Sequence, residues 1–116
     1  MGGLLKMENN IIENLGKQYE YYLDCRYDSR ASFYKKAKVL VYENDDVEHL
    51  ELQSYSTLVA NYVYYKNENK KVYEYFGYYS GTTTRHQKEF FRQLGLTDDE
   101  IKELWLNERL EVKENE

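Results

Sequence analysis

The feature that most constrains this fold is the alternation of apolar and polar residues through the middle of the chain. Successive side chains of a strand point to opposite faces of a sheet, so a repeat of two residues is typical of a half-buried strand. The alternation occurs in AKVLVYE (37–43) and HLELQS (49–54). Two further stretches, LVANYVYYK (58–66) and KVYEYFGYY (71–79), are rich in the valine and tyrosine that favour strands and are predicted to be strands as well.

Short polar stretches separate these predicted strands. Asn44, Asp45 and Asp46 give a turn signal, and the NENK stretch at 67–70 predicts a hairpin loop. The apolar phase changes after Ser54, which predicts a bulge or a bend near residues 55–57. We therefore expect an antiparallel sheet of three to four strands.

Helical spacing appears on both sides of this sheet. Residues 7–23 place apolar side chains three and four positions apart, which predicts an amphipathic helix, and residues 24–32 then form a polar loop. Two further helices close the chain, with Gly95 ending the first and a capping box of Thr97 and Glu100 opening the second. The expected fold class is α+β, with an N-terminal helix, an antiparallel sheet and two C-terminal helices.

The length and composition indicate one domain. A chain of 116 residues can bury a core of its own, and the absence of proline, with only six glycines, gives no linker signal. We expect a single domain over 1–116, with flexible ends at 1–6 and 110–116. The single cysteine, Cys25, excludes an internal disulfide, and the first residues lack a signal-like apolar core, so we expect a cytoplasmic location.

The net charge of −5 is carried by the end of the chain. Residues 97–116 hold eight acidic and three basic side chains, whereas residues 1–96 hold thirteen of each. Non-specific duplex binding depends on clustered lysine and arginine and is disfavoured by this balance. The acidic end is better matched to a basic protein partner.

A threonine-rich stretch precedes the first C-terminal helix. Thr84 with Gln87 fits a capping box, and Thr82 or Thr83 is an alternative cap. A helix start beside Arg85 is also able to bind an anion, although the spacing and lysine of a phosphate-binding loop are missing. We interpret the threonines mainly as caps.

No constellation in the sequence predicts catalysis. His86 follows the helical apolar side and is expected to be half-buried, whereas His49 is expected to be solvated. A serine–histidine pair with Ser80 lacks a third member, and Cys25 with the two histidines lacks any metal-ligand spacing. We therefore predict no enzyme activity, no metal and no cofactor.

Two groups of side chains are candidates for partner contacts. Tyrosines crowd the last predicted hairpin, and exposed tyrosine makes a rigid contact surface. The predicted partner-binding residues are Tyr65, Tyr75, Tyr79, Ser80, Thr82, Arg85, Asp98, Asp99 and Glu103. A second-choice recognition loop contains Arg26, Asp28 and Arg30; its alternative interpretation is a salt-bridged loop over the sheet edge.

Three stretches, YDSRASFYKKAKV (27–39), SYSTLVA (54–60) and GYYSGTTTRHQKEFFRQLG (77–95), carry a resemblance. Together they resemble an uncharacterised family of small phage and gut-bacterial proteins with the pattern S-F-Y-x-K-A, S-Y-x-T-x-V-A and G-Y-x-S-x-T-T-x-x-H-x-x-E-F-x-x-Q-x-G. The resemblance implies a mobile-element setting and no particular reaction.

We therefore expect a non-enzymatic phage or mobile-element protein that binds a host or defence protein. An anti-CRISPR or other anti-defence inhibitor is one form of this expectation, because a small acidic protein is able to occupy a basic nucleic-acid channel. The alternative is a nucleic-acid-binding accessory protein that uses the threonine-rich turn, Arg85, the lysines near residue 70 and exposed tyrosines.

Overall fold

A computed structural model describes residues 16–114. These residues form an antiparallel sheet whose strand order follows the chain, so that each strand pairs with the next. The strands are β1 (Lys17–Tyr22), β2 (Ala37–Glu43), β3 (Val47–Ser54), β4 (Thr57–Tyr65), β5 (Lys70–Tyr75) and β6 (Arg109–Lys113). Two helices, α1 (Gly81–Gln93) and α2 (Asp98–Asn107), lie between β5 and β6 in the chain.

The predicted N-terminal helix over 7–23 is wrong where the structure describes it. Residues 17–22 form β1, in which Tyr19 pairs with Val41 and Tyr21 with Val39. A few apolar residues in this segment have helical spacing, but tyrosine favours strands. The segment therefore pairs with the open edge of the sheet instead of forming a helix. The remainder of the predicted helix, residues 7–15, lies outside the described residues.

The predicted count of three to four strands is also wrong, because the described residues form six. One added strand is β1 and the other is β6, whose short RLEVK sequence pairs with β5. Lysines of β5 pair with acidic residues in and directly after β6: Lys70 lies 3.8 Å from Glu111, and Lys71 lies 2.7 Å from Glu114, the residue that follows the strand. Cross-strand ion pairs of this kind support a strand that has few apolar residues.

The predicted bulge or bend near residues 55–57 is a bend, in the form of a tight turn between β3 and β4. Ser54 pairs with Thr57 across a two-residue connection. Tyr55 takes a left-handed backbone with φ of 61°. Two-residue hairpin loops need this conformation and favour asparagine or glycine there, so tyrosine gave no turn signal. A register irregularity does occur nearby, between Leu52 and Gln53.

One face of the sheet packs against both helices and holds the main core. The strands contribute Val39, Leu52 and Tyr73, and α1 contributes Phe90 and Phe91, all with at most 2% of their surface exposed. The ring of Phe91 meets that of Tyr73 edge to face, with centroids 6.3 Å apart. The described residues thus form a six-stranded antiparallel sheet with two helices on one face, in place of the expected N-terminal helix and sheet of three to four strands.

The opposite face carries a smaller buried cluster of Val47, Val63, Tyr65 and Val72. His49 lies on this face, only 4% exposed, so the expectation that it is solvated is wrong. Its Nε2 atom bonds the side-chain oxygen of Asn61, and its ring stacks on Tyr42 at 5.2 Å. Burial lowers the pKa of His49, which favours the neutral ring in the folded protein.

The helix boundaries follow their capping residues. Ser80, not one of the threonines, caps α1, because its hydroxyl accepts the backbone N–H of Thr83. Gly95 ends α1 with φ of 95°, as predicted, and the backbone N–H of Leu96 reaches the carbonyl of Phe91. The predicted capping box of Thr97 opens α2. Among residues 16–114, neither helix has the length and apolar character needed to cross a membrane.

Candidate functional site

The threonine-rich turn is mostly used inside the fold. The Thr84 hydroxyl donates to the carbonyl of Ser80 at 2.9 Å, and both Thr83 and Thr84 are buried. Ser80 is exposed, but its hydroxyl is occupied as the helix cap. Thr82 remains half-buried at the surface, and Tyr79 is 51% exposed. The predicted set around this turn therefore does not present its hydroxyls together to solvent.

His86 is buried more deeply than predicted, with no exposed surface. Its Nδ1 lies 2.8 Å from the hydroxyl of Ser54, which lies 2.9 Å from the hydroxyl of Thr83. Phe33 covers one side of the ring edge to face at 4.5 Å. Burial lowers the pKa of His86, with a smaller opposing effect from Asp28, so the ring is held neutral.

The loop between β1 and β2 is tied to α1. The buried carboxylate of Glu89 accepts the backbone N–H groups of Tyr27 at 2.9 Å and Asp28 at 2.7 Å. Arg85 donates to the Asp28 carboxylate at 3.0 Å. Such a loop needs a buried acceptor, because its unpaired N–H groups would otherwise be costly. The alternative interpretation, a salt-bridged loop, therefore applies to Asp28, which pairs with Arg85.

The other two residues of the second-choice loop reach the surface. Arg26 is exposed and pairs with Asp24 at 3.2 Å. Arg30 is exposed too, and its backbone N–H donates to Asp28 at 2.8 Å. Asp28 and Arg30 therefore contact each other, whereas Arg26 pairs outside this predicted set, with Asp24.

The tyrosines of the β4–β5 hairpin are mainly core residues. Tyr75 packs on the helix face with 2% exposure, and Tyr65 belongs to the cluster on the opposite face with 8% exposure. Neither of these two predicted contact residues presents its ring to solvent. Exposed tyrosine rings occur elsewhere, among them Tyr78 and Tyr79 just before α1.

The structure brings an apolar surface together beside α2. The Trp105 ring is 40% exposed and lies parallel to the ring of Tyr78, with centroids 6.5 Å apart. Its stacking on the buried Tyr75 at 5.9 Å fixes it to the core. Leu106, the next residue, is 78% exposed. Exposed aromatic side chains that are anchored to the core are typical of a protein contact site.

Acidic residues adjoin this apolar group on the same helix. Asp99, Glu103 and Leu106 are three and four positions apart, so they follow one exposed face of α2. Within residues 16–114, neither Asp99 nor Glu103 forms an ion pair, whereas Asp98 pairs with Arg92 at 2.6 Å. We call Tyr78, Asp99, Glu103, Trp105 and Leu106 the α2 surface.

Trp105, Leu106 and Tyr78 were not among the predicted contact residues. The sequence interpretation placed Trp105 in the apolar stripe of α2. One signal was available, because Leu104, Trp105 and Leu106 are consecutive, and a helix cannot turn three adjacent side chains toward one core. Leu104 is the one that is fully buried.

The cations of the nucleic-acid alternative are paired with carboxylates. Lys66 lies 2.7 Å from Glu43 and Lys71 lies 2.7 Å from Glu114, while Lys70 contacts Glu68 and Glu111. Arg85, as above, pairs with Asp28. These pairs reduce the positive potential that a phosphate backbone needs.

The described residues offer little for metal or thiol chemistry. No group of three or more histidine, cysteine, aspartate or glutamate side chains within residues 16–114 is placed to hold a metal ion. Burial, with nearby carboxylates, raises the pKa of the Cys25 thiol, which keeps it protonated at neutral pH.

Comparison with known proteins gives a family match. A model described as a family of unknown function (DUF8033) matches residues 21–108. The matched segment runs from the end of β1 through α2, so it includes the α2 surface and the His86 cluster. No curated protein and no solved structure matches the chain.

Proposed function

We propose that this chain, which belongs to the family of unknown function DUF8033, is a non-enzymatic binding protein that uses the α2 surface to contact a basic host protein. The observation that carries the proposal is the exposed Trp105–Tyr78 pair next to Leu106. Truncation of a central aromatic residue typically costs 2 kcal/mol or more of binding, roughly a thirtyfold loss.

The charge of the α2 surface selects the kind of partner. Asp99 and Glu103 have no ion pair within residues 16–114, so their carboxylates are available to arginine or lysine across an interface. The acidic residues in and directly after β6 contribute less, because Glu111 and Glu114 already pair with lysines of β5. We therefore expect a small contact area centred on the α2 surface, and not an extended acidic surface that mimics DNA.

The biological setting in this proposal is a phage or another mobile element, acting in the cytoplasm of a host cell. It rests on the resemblance of residues 27–95 to small phage and gut-bacterial proteins. A host defence protein, including a CRISPR effector with a basic nucleic-acid channel, has the charge that the α2 surface complements. The nucleic-acid alternative has less support, because its lysines and Arg85 are paired with carboxylates.

The test compares three forms of the tagged chain in nuclease-treated bacterial lysate. The first is the natural sequence, the second is Leu106→Asp, and the third is Tyr19→Ala, an exposed tyrosine of β1 at the far edge of the sheet. The proposal is supported if one protein is retained in equal amounts by the natural sequence and by Tyr19→Ala but is lost with Leu106→Asp. The same complex should then form from the two purified proteins. Equal recovery with all three forms contradicts the proposal.

A further inference from the structure

A cavity of about 280 Å³ lies where the loop before β2, the β3–β4 turn and the first turns of α1 meet. It brings together parts of the chain that are far apart in sequence, since Tyr34, Tyr55, Thr82 and His86 all line it. Each of the three stretches quoted for the family resemblance contributes at least one of these residues. The cavity is slightly smaller than the roughly 300–1,000 Å³ of typical ligand pockets, so only a single small molecule suits it.

His86 is one of the residues that line the cavity, and it carries a buried ring nitrogen without a partner among the described residues. His86 has no exposed surface, and its Nδ1 is committed to Ser54 at 2.8 Å. Its Nε2 has no hydrogen-bond partner among residues 16–114. A buried polar atom without a partner is costly, and an occupant with a polar edge would satisfy it. Nε2 is able to donate or accept, according to the direction of the bond between Nδ1 and Ser54.

The charged residues that line the cavity are all cationic. Arg30 and Lys36 line it, and within the described part of the chain neither forms an ion pair. None of the lining side chains is acidic. Asp28 is nearby, but its carboxylate is held by Arg85 and by the backbone of Arg30. Thr82 belongs to the first turn of α1, where the helix carries partial positive charge.

Two tyrosines also line the cavity. Tyr34 is 73% exposed and Tyr55 is 57% exposed, and both sit on left-handed backbone, with φ of 53° and 61°. Their backbones are held by short bonds, from Tyr34 N–H to the Ser32 hydroxyl at 2.8 Å and from Tyr55 N–H to the Lys36 carbonyl at 2.7 Å. Exposed aromatic rings that rise from a well-held backbone beside cations are suited to a planar ring that carries an anion.

We propose that this cavity binds a mononucleotide. Arg30, Lys36 and the start of α1 receive the phosphate, Tyr34 and Tyr55 pack against the base, and His86 Nε2 bonds the polar edge of the base. The site is separate from the α2 surface and does not depend on the proposed function. Asp28, held by Arg85, fixes the loop that carries Arg30.

The experiment titrates the full chain with each of the four 5′-mononucleotides, with the matching nucleosides and with inorganic phosphate. NMR shifts of the Thr82 amide and the His86 ring report occupancy, and calorimetry gives the affinity. We expect saturable binding of at least one mononucleotide, about tenfold or more tighter than its nucleoside or phosphate alone, because both ends of the site are needed. The proposal is overturned if none of the four mononucleotides shows saturable binding. It is also overturned if inorganic phosphate binds the chain as tightly as every mononucleotide does.

Two exposed-residue variants separate this site from general charge attraction. Arg30→Gln removes a lining cation, and Lys35→Gln removes an adjacent exposed cation that does not line the cavity. We expect Arg30→Gln to weaken nucleotide binding about tenfold and Lys35→Gln to weaken it less than about twofold. Equal effects of the two substitutions overturn the proposal. Tyr34→Ala is expected to weaken the nucleotide while leaving the affinity for phosphate alone unchanged.

Discussion

His86 and Ser54 share a buried hydrogen bond, with the imidazole Nδ1 lying 2.8 Å from the serine hydroxyl. The bond joins α1 to the last residue of β3, and Ser54 also contacts Thr83 at 2.9 Å. It therefore fixes the helix on the sheet at the place where the proposed nucleotide cavity opens.

Ser54→Ala tests this contact. The substitution leaves Nδ1 of His86 buried without its partner, which is expected to lower the free energy of unfolding by about 1–3 kcal/mol. Ser56→Ala, in the exposed turn two residues on, is the matched control and is expected to change it by less than about 0.5 kcal/mol. Urea denaturation measures both. Equal stability of the two variants would show that the bond contributes nothing.

The two histidines make the stability depend on pH. Burial lowers the pKa of both His49 and His86 in the folded protein, so the unfolded chain binds protons more readily in mildly acidic solution. Their contribution is present above the unfolded-state pKa of about 6.5 and is lost as the pH falls through the folded-state pKa. We expect denaturation midpoints to fall between pH 7.5 and pH 5. Ring titrations by NMR with midpoints above 6.5 would contradict the assignment.

Glu89 is expected to hold the loop between β1 and β2. Glu89→Ala removes the acceptor for the N–H groups of Tyr27 and Asp28, and we expect a loss of about 1–3 kcal/mol of stability. The specific readout is amide hydrogen exchange, which should accelerate at residues 27 and 28. Glu103→Ala, an exposed glutamate in α2, is the control and should leave those two amides protected.

The two helix-end glycines should respond differently to alanine. Gly95 has φ of 95°, which an alanine adopts with strain, so Gly95→Ala is expected to destabilise the fold by about 1 kcal/mol. Gly81 is the first residue of α1 and has open space around a Cβ, so Gly81→Ala is expected to be neutral or slightly stabilising. Thermal denaturation distinguishes them; a Gly95→Ala variant as stable as Gly81→Ala would refute the account of this helix end.

The sequence predicted the elements whose signals are local. The capping box at Thr97 and the glycine end at Gly95 are confirmed, because a few adjacent residues determine each. Residues 17–22 were predicted to be helical because their apolar residues are spaced as in a helix. They form a strand because they pair with β2, and that pairing has no local signal in the sequence. β6 was missed because the ion pairs that support it, made by Glu111 and by Glu114 directly after the strand, need lysines of β5 that are distant in sequence.

The candidate sites were harder to predict than the elements. Exposure of a tyrosine depends on which sheet face meets the helices, so Tyr75 and Tyr65 were assigned to a contact surface although both are buried. The helix cap is Ser80 rather than one of the predicted threonines. The sequence could not distinguish them, because several neighbouring hydroxyl residues are all suitable caps. The cavity beside His86 is formed by three separate stretches of chain and has no local signal.

The most direct test of the proposed function is the affinity of the purified chain for the partner protein captured from lysate, measured by calorimetry for the natural sequence, Leu106→Asp and Tyr19→Ala. We expect Leu106→Asp to weaken binding about thirtyfold or more, because it places a charge in the apolar part of the α2 surface. Tyr19→Ala is expected to change the affinity less than about twofold. Unchanged affinity for Leu106→Asp would contradict the assignment of the α2 surface as the binding site.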